Sequence, residues 1–527
     1  MTEYTRPNIF LRCLCCLLTA ILILSCHSAA LASNVNDSLV IGIQSTKTLT
    51  IRPFEPLERD MLSVYNLLYE SLITIDDEYI PQGCLAESWE MSSNGKTWTF
   101  HLRSDVTFSD GTPLTAGDVV ASAQYILNKA ADENISDHGF YANLKYFVSS
   151  ISAPDDATVV IKAKRAYYGL LYAMNFPVVP AGQVASDQPL GSGPYTVSEF
   201  IAGDYMWLTS NTNWWKAQPQ VREIMIAFHD SPRAVVDSFE YARVDTIFSR
   251  STASAQYKSG TSILSMAYRT NQLECLYMNN SSSELTPEVR KAIRFLIDKN
   301  KIISNVYMGM AQAANFPFFP GTWMYNESLD SQFTRNVEEA RRLLEEAGWG
   351  DANEDGILDR YNSNGELVNL HLRFYVYEEP DNDVRVEAAN IISSQLAEAG
   401  ISSSVDSSMN MANLQEKLSA GSFDLALISM AMDPCPDPGF MLMRGNTGNY
   451  NRYRSDKMTD LCEKLRTETT REGYRSRLME IQSLFYEDCP FICLYYRMGN
   501  VVTRYMYTTA RDVREYELLR GIESFHP

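Results

Sequence analysis

From residue 369 to residue 430 the apolar positions switch between a spacing of two and a spacing of three to four. In NLHLRFYVY, Leu370, Leu372, Phe374 and Val376 alternate with their neighbours, the period of a half-buried strand. DVRVEAANIISSQLAEAG then reads as a helix, closed by Gly400 where the chain needs a left-handed residue. ISSSV is a short strand, MANLQEKLSAG a helix ended by Gly421, and FDLALISMAM a strand apolar enough to be buried on both faces. That order, βαβαβ, predicts a parallel sheet covered by helices. Ligands of such sheets sit in the crevice beyond the carboxyl ends of the strands. Glu378, Glu379 and Asp381 follow the first strand end, Ser407 and Ser408 the second, and Asp433 and Asp437 the third. The last loop, DPCPDP, is stiffened by three prolines. Its aspartates read either as a site for a cationic group or as a solvated acidic loop.

Elsewhere the pattern describes scaffold. SNGKTWTFHLR is a turn entering an alternating strand, and SDGTPLTAGDVV a turn followed by a capped helix start. Thr286 and Pro287 open a helix as N-cap and first residue, with Val289, Ile293, Leu296 and Ile297 as its apolar stripe. At 527 residues the chain exceeds what one core supports, so two or three domains are expected.

Charge and cysteine narrow the class. With 45 Lys+Arg against 65 Asp+Glu the net charge is −20, which argues against nucleic acid as a partner. Arg6 and Arg12 precede an apolar run from Leu14 to Leu24, shorter than a membrane span and suited to an export signal. Ile23-Leu24-Ser25-Cys26 is similar to the lipobox of bacterial lipoproteins, which implies a signal peptide over residues 1–25 and lipidation at Cys26; Ala30-Leu31-Ala32 is a competing cleavage site. Six cysteines lie beyond the signal, without a C-x-x-C pair, and read mostly as buried thiols. Catalytic motifs fail on inspection. There is no H-E-x-x-H or G-x-S-x-G, and the P-loop-like NGKT has Glu90 where its first glycine belongs. Asp351-Asn353-Asp355-Gly356 imitates a calcium loop, but Asn362 stands where the bidentate glutamate is required, so it reads as a polar turn, with a weak calcium site as the alternative. No enzyme activity, cofactor or metal is expected.

LAESWEMSSNGKTWTFHLRSDVTFSDGTPLTAGDVVAS (residues 85–122) resembles the signature of the family 5 solute-binding proteins of bacterial ABC importers, the oligopeptide- and dipeptide-binding group. GSGPYTVSEF, NTNWW, ECLYMNNSSSELTPEVRKAIRFLIDKNKII, VEEARRLLEEAGW and RLMEIQSLFYEDCPFICLYY follow in the family's order. The resemblance implies an α/β, two-lobed periplasmic-binding-protein type II fold with an additional domain inserted in lobe one. Lobe one would comprise residues 34–76, 186–272 and 497–527, the insertion 77–185, and lobe two 273–496. It implies an exported protein, lipid-anchored at the outer face of the cell membrane or in the periplasm. Such a protein captures a peptide between its lobes and delivers it to an ABC permease complex.

In peptide-binding members an aspartate of a G-W-x-x-D loop pairs with the ligand's α-amino group. By resemblance that role falls on Asp433, with Phe440 matching a further position. The expected ligand contacts are Asp433, Met430, Met411, Glu378 and Asp437, the last on the solvated rim. Met430 and Met411 replace aromatic residues, giving a softer lining. The loop Tyr377-Glu378-Glu379-Pro380 lacks the arginine that dipeptide binders supply for a ligand carboxylate. That departure favours a longer peptide or another cationic solute. The alternative within transport is a metal chelate of the nickel type, which requires Met411, Met430 and nearby histidines to line the cleft. A glycosidase working with Glu378 and Asp433, or a signalling receptor, are the readings from other classes.

Overall fold

The computed structural model describes residues 38–45, 50–55, 58–134, 139–377, 379, 383–434, 437–504 and 513–522. Cys26, Glu378, Asp381 and Cys435 lie outside the described residues.

One large mixed sheet organises the chain. Its strands, in chain order, are β1 (Ser38–Gln44), β2 (Tyr195–Ile201), β3 (Tyr205–Ser210), β4 (Glu223–His229), β5 (Thr246–Ser249), β6 (Leu264–Met278), β7 (His371–Tyr377), β8 (Ser402–Met409), β9 (Leu425–Ala431) and β10 (Phe491–Thr503). They are hydrogen-bonded in the order β8-β7-β9-β6-β10-β5-β1-β4-β3-β2, and a short strand, Ala311–Ala313, also pairs with β10. β7 pairs in parallel with both β8 and β9, the βαβαβ unit expected from the spacing. Its first helix runs Val384–Ala397, its second Met411–Ala420, and Gly400 (φ +83°) and Gly421 (φ +71°) both adopt the left-handed conformation. Leu372, Phe374 and Val376 on β7 are fully buried. On β9 the residues from Leu425 to Ile428 are buried and Ser429 to Ala431 progressively emerge, so the strand leaves the core as it approaches Asp433.

The scaffold motifs fold as their chemistry dictates. Thr286 Oγ1 accepts from Val289 N at the start of helix Pro287–Leu296, whose Val289, Ile293 and Leu296 are fully buried. Thr115 and Asp118 form a capping box at helix Ala116–Ala131. Within residues 77–185 a separate antiparallel sheet has the order Ala86–Met91, Thr97–Leu102, Thr158–Ala163, Val148–Asp155. The calcium-like loop is a polar turn, in which the Asp351 carboxylate accepts from Asp355 N and Gly356 N. Cys84, Cys275, Cys462, Cys489 and Cys493 are buried free thiols.

The glycines of GSGPY have a steric reason. A helix spans Arg59–Leu68, and a Cβ on Gly191 would lie 1.9 Å from Leu68 O; one on Gly193 would lie 2.4 Å from Leu67 O. Backbone meets backbone there, with Gly193 N donating to Leu68 O at 3.0 Å. Gly191→Ala is therefore expected to cost about 1–3 kcal/mol or more by overpacking. Gly182→Ala, where a Cβ meets nothing within 4 Å, should be nearly neutral. Urea midpoints of the two variants check this.

Candidate functional site

β6 and β10 are the long strands at the middle of the sheet, and between Arg269 and Leu273 their register breaks. The irregular segment is fixed by Thr270 Oγ1 donating to Arg497 O (2.8 Å) and by Met432 N donating to Asn271 O (2.8 Å). Beside it opens a cavity of about 480 Å³, within the range of small-ligand sites. Its walls come from three directions: Leu62 to Cys84 with Trp214 and Lys216, the strand segment Arg269–Asn271 with Phe319, Met432 and Pro434, and the chain segment Arg514–Gly521.

Asp433 stands between the two cavity-lining residues Met432 and Pro434. The residue as a whole is exposed, while the protein packed around its carboxyl group takes water from it and raises it above the ordinary value. Among the described residues no lysine or arginine pairs with it. The charge acts on Tyr516, whose phenol is raised by burial first and by Glu515 and Asp433 in addition. Tyr516 Oη accepts from Asn271 Nδ2 at 2.7 Å, which joins the C-terminal segment to the irregular part of β6.

The other expected contacts fall elsewhere. Asp437 accepts from Gly439 N (2.9 Å) and is ion-paired to Arg466 Nε at 2.7 Å. It is half-buried and pins the proline loop, whereas the sequence placed it on a solvated rim. Met430 is half-buried on β9 opposite Leu273, with Gly448 and Phe440 packed nearby. Met411 opens its helix and is 36 % exposed. Neither methionine lines the cavity, nor does any histidine.

Two arrangements were not legible in the sequence. The first is Glu70, which is 7 % exposed and accepts from Trp215 Nε1 (2.8 Å), Trp214 Nε1 (3.3 Å) and Ser192 Oγ (3.2 Å), with Lys216 Nζ at 3.6 Å. Lys216 lies 4.5 Å above the Trp215 ring. Burial raises the Glu70 carboxyl, and Lys216 and the indole donors oppose it. The only hint was the dipeptide Trp214-Trp215, for which no partner 144 residues away can be read from spacing. The second lies beside the break in β6. Glu274, fully buried, accepts from Arg385 Nη2 (2.9 Å) and pairs with Arg497 Nε (2.7 Å). Glu379 closes the box, 2.9 Å from Arg385 Nη1 and 2.9 Å from Arg497 Nη1. Burial alone would raise the Glu274 carboxyl; the two guanidiniums overcome it and hold it at about 2. All four charges are thus compensated internally.

Charged groups border a small cavity beside the register break of β6 and β10, and among the described residues no cluster of His, Cys, Asp and Glu is suited to hold a metal. Among the described residues no helix is long and apolar enough to cross a membrane.

Comparison with known proteins places this fold. Residues 81–452 match the model of the bacterial extracellular solute-binding proteins, family 5 middle region. The chain is 25 % identical over 492 residues to the oligopeptide-binding protein AppA of Bacillus subtilis, covering 86 % of each. It is 28 % identical over 335 residues to the nickel-binding periplasmic protein of Escherichia coli, covering 59 % of this chain and 60 % of that one. Among solved structures, NikA from Brucella suis in complex with Fe(III)-EDTA superposes with a TM-score of 0.77 at 21 % identity, over 93 % of this chain and 99 % of the other. The chain belongs to the family 5 bacterial extracellular solute-binding proteins, the solute-capturing components of ABC transporters.

Proposed function

We propose that the protein is an exported, lipid-anchored receptor that captures a peptide in the cleft between its lobes and delivers it to an ABC permease complex. The observation that carries this reading is Asp433, an exposed carboxylate between the cavity-lining residues Met432 and Pro434 that has, among the described residues, no basic partner. An α-ammonium group supplies the missing counter-charge, and its arrival offsets the desolvation. The similarity to an oligopeptide-binding relative over 86 % of the chain supports the peptide class. The lobes would close about the irregular segment Thr270–Gln272 and the neighbouring Arg497. Glu378, outside the described residues, and Met411 and Met430, away from the cavity, are not required for the amino-group contact.

The chelate reading draws on the nickel-binding relative. It required the two methionines and a histidine at the cleft, and the cavity is lined by none of them. Mass spectrometry of the small molecules released on denaturing the purified protein distinguishes the two. Peptides are expected, and a metal complex with no peptide would overturn the reading. For the anchor, Cys26→Ala is expected to abolish acylation and move the protein from the membrane fraction to the soluble one, because one covalent lipid group holds it there. A variant that stays membrane-bound would show that the apolar leader is itself the anchor.

A further inference from the structure

β6 and β10 run antiparallel, and two cysteines stand directly opposite each other on them, Cys275 and Cys493. A bulge puts them there. Glu274 pairs with Tyr495, so an unbroken register would set Cys275 against Leu494 and Cys493 against Leu276. The extra residue, Leu494, brings Cys493 round to Cys275 instead. The two side chains share one face of the sheet. Cys275 and Cys493 pack into the same core as Tyr277 and Phe491, whereas Leu276, Ile492 and Leu494 pack into the core on the other face. Cα atoms of residues opposed in this way lie about 4.5–5.5 Å apart, inside the range of about 4.4–6.8 Å that disulfides span. Cys462, in helix Asp456–Leu465, and Cys489, at the end of helix Arg471–Asp488, have no such setting.

In the folded protein the pair is sealed, Cys275 being 0 % and Cys493 1 % exposed. Burial first, and then a hydrogen bond with the Cys493 thiol, raise the Cys275 thiol, against the charge of Lys299. A protonated thiol without access is a poor nucleophile, so exchange has to precede burial. The family is extracellular, and chains that fold outside the cytoplasm meet disulfide donors as they fold. We propose that Cys275 and Cys493 close as a structural disulfide during folding, stapling β6 to β10 beside the register break and the Glu274 charge box. The oxidant is a disulfide of the thiol-exchange class, R–S–S–R. One cysteine thiolate attacks it, forming a mixed disulfide and releasing one R–S⁻. The second thiolate attacks the cysteine sulfur of that mixed disulfide, forming the Cys275–Cys493 bond and releasing the other R–S⁻. The two protons lost by the cysteines end on the two released thiolates, so two R–SH carry away the two electrons. The bond closes a chain loop of roughly 200 residues, the long-loop case in which a crosslink restricts the unfolded chain most. It also fixes the register of the two strands that carry Thr270–Gln272 and Arg497.

The test is a refolding experiment on wild type. Reduced, urea-unfolded protein is refolded in a mixture of oxidised and reduced glutathione, alkylated in denaturant and mapped by mass spectrometry. A peptide containing Cys275 is expected in covalent link with one containing Cys493, while Cys84, Cys462 and Cys489 are alkylated. Protein already folded in the reduced state should stay unlinked in the same mixture, because both thiols are out of reach. Dithiothreitol should in turn break the bond in urea and leave it intact in the native protein. The oxidised form should melt at least about 5 °C above the reduced form, and Cys493→Ala should melt at one temperature whether or not it has met the oxidant. Alkylation of both Cys275 and Cys493 in refolded wild type would overturn the proposal, as would a link from either to another cysteine. Equal melting of oxidised and reduced wild type would remove the staple. Where Cys493→Ala does not fold, the wild-type mapping and melting decide alone.

Discussion

Glu274→Gln is expected to lower the stability of the protein by about 3–5 kcal/mol at neutral pH, the cost of removing one partner from a buried charge cluster. Glu274 is fully buried and shared by Arg385 and Arg497, so its loss leaves two guanidiniums facing only Glu379. Replacing the cluster by apolar residues of equal volume would cost far less, because the penalty lies in the uncompensated charge. The pH dependence gives a second readout. Glu274 is held at about 2 in the folded protein, below its unfolded value near 4.3. Its contribution is therefore complete above about 4.3 and is lost as the pH falls from there toward 2. Urea unfolding should show a lower midpoint for the variant at pH 7 and a smaller gap between variant and wild type at pH 3. Equal midpoints at pH 7 would mean that water, not Glu274, compensates the arginines.

The sequence carried the parallel unit well and the site only partly, for a physical reason. β7, its helix, β8, the next helix and β9 are local: each is set by the period of its own apolar residues and by Gly400 and Gly421 at helix ends. Asp433 stands out in the sequence as a candidate because it follows a buried strand and its proline neighbours mark a loop. The charge box was not. Arg385 sits in the first turn of its helix, where an arginine ordinarily faces solvent, yet its guanidinium is turned inward and fully buried by Glu274, which is 111 residues away. Arg497 likewise looks like one polar residue in an apolar strand. The pairing of Asp437 was hidden for the same reason, since its partner Arg466 lies 29 residues on, just past the end of helix Asp456–Leu465, whose packing no local pattern reveals. Contacts of that range are decided by the tertiary fold, and a single sequence records the residues without their pairing.

Asp433→Asn should weaken binding of a peptide with a free amino terminus by about 2–5 kcal/mol, or roughly 30- to several-thousand-fold. The substitution keeps shape and one acceptor and removes only the charge, so the ligand's ammonium would enter the cleft without its counter-ion. Asp437→Asn should affect binding far less, because the Asp437 carboxylate is occupied by Arg466 and Gly439 N. N-acetylated peptide should bind wild type poorly and should not distinguish wild type from Asp433→Asn. Burial raises the Asp433 pKa in the free protein, so the carboxyl becomes neutral at a higher pH than an exposed aspartate would. An ammonium ligand selects the charged form. Its affinity should therefore fall as the pH drops through that raised pKa, with a proton released on binding in the same window, and both effects should vanish in Asp433→Asn. Titration of free and acetylated penta-alanine, each at pH 7 and pH 4.5, measures all of this. Equal affinity of wild type for the two peptides at pH 7 would remove Asp433 from the amino-terminal role. The raised carboxyl would then need a different cation, and the chelate reading would be the one left to supply it.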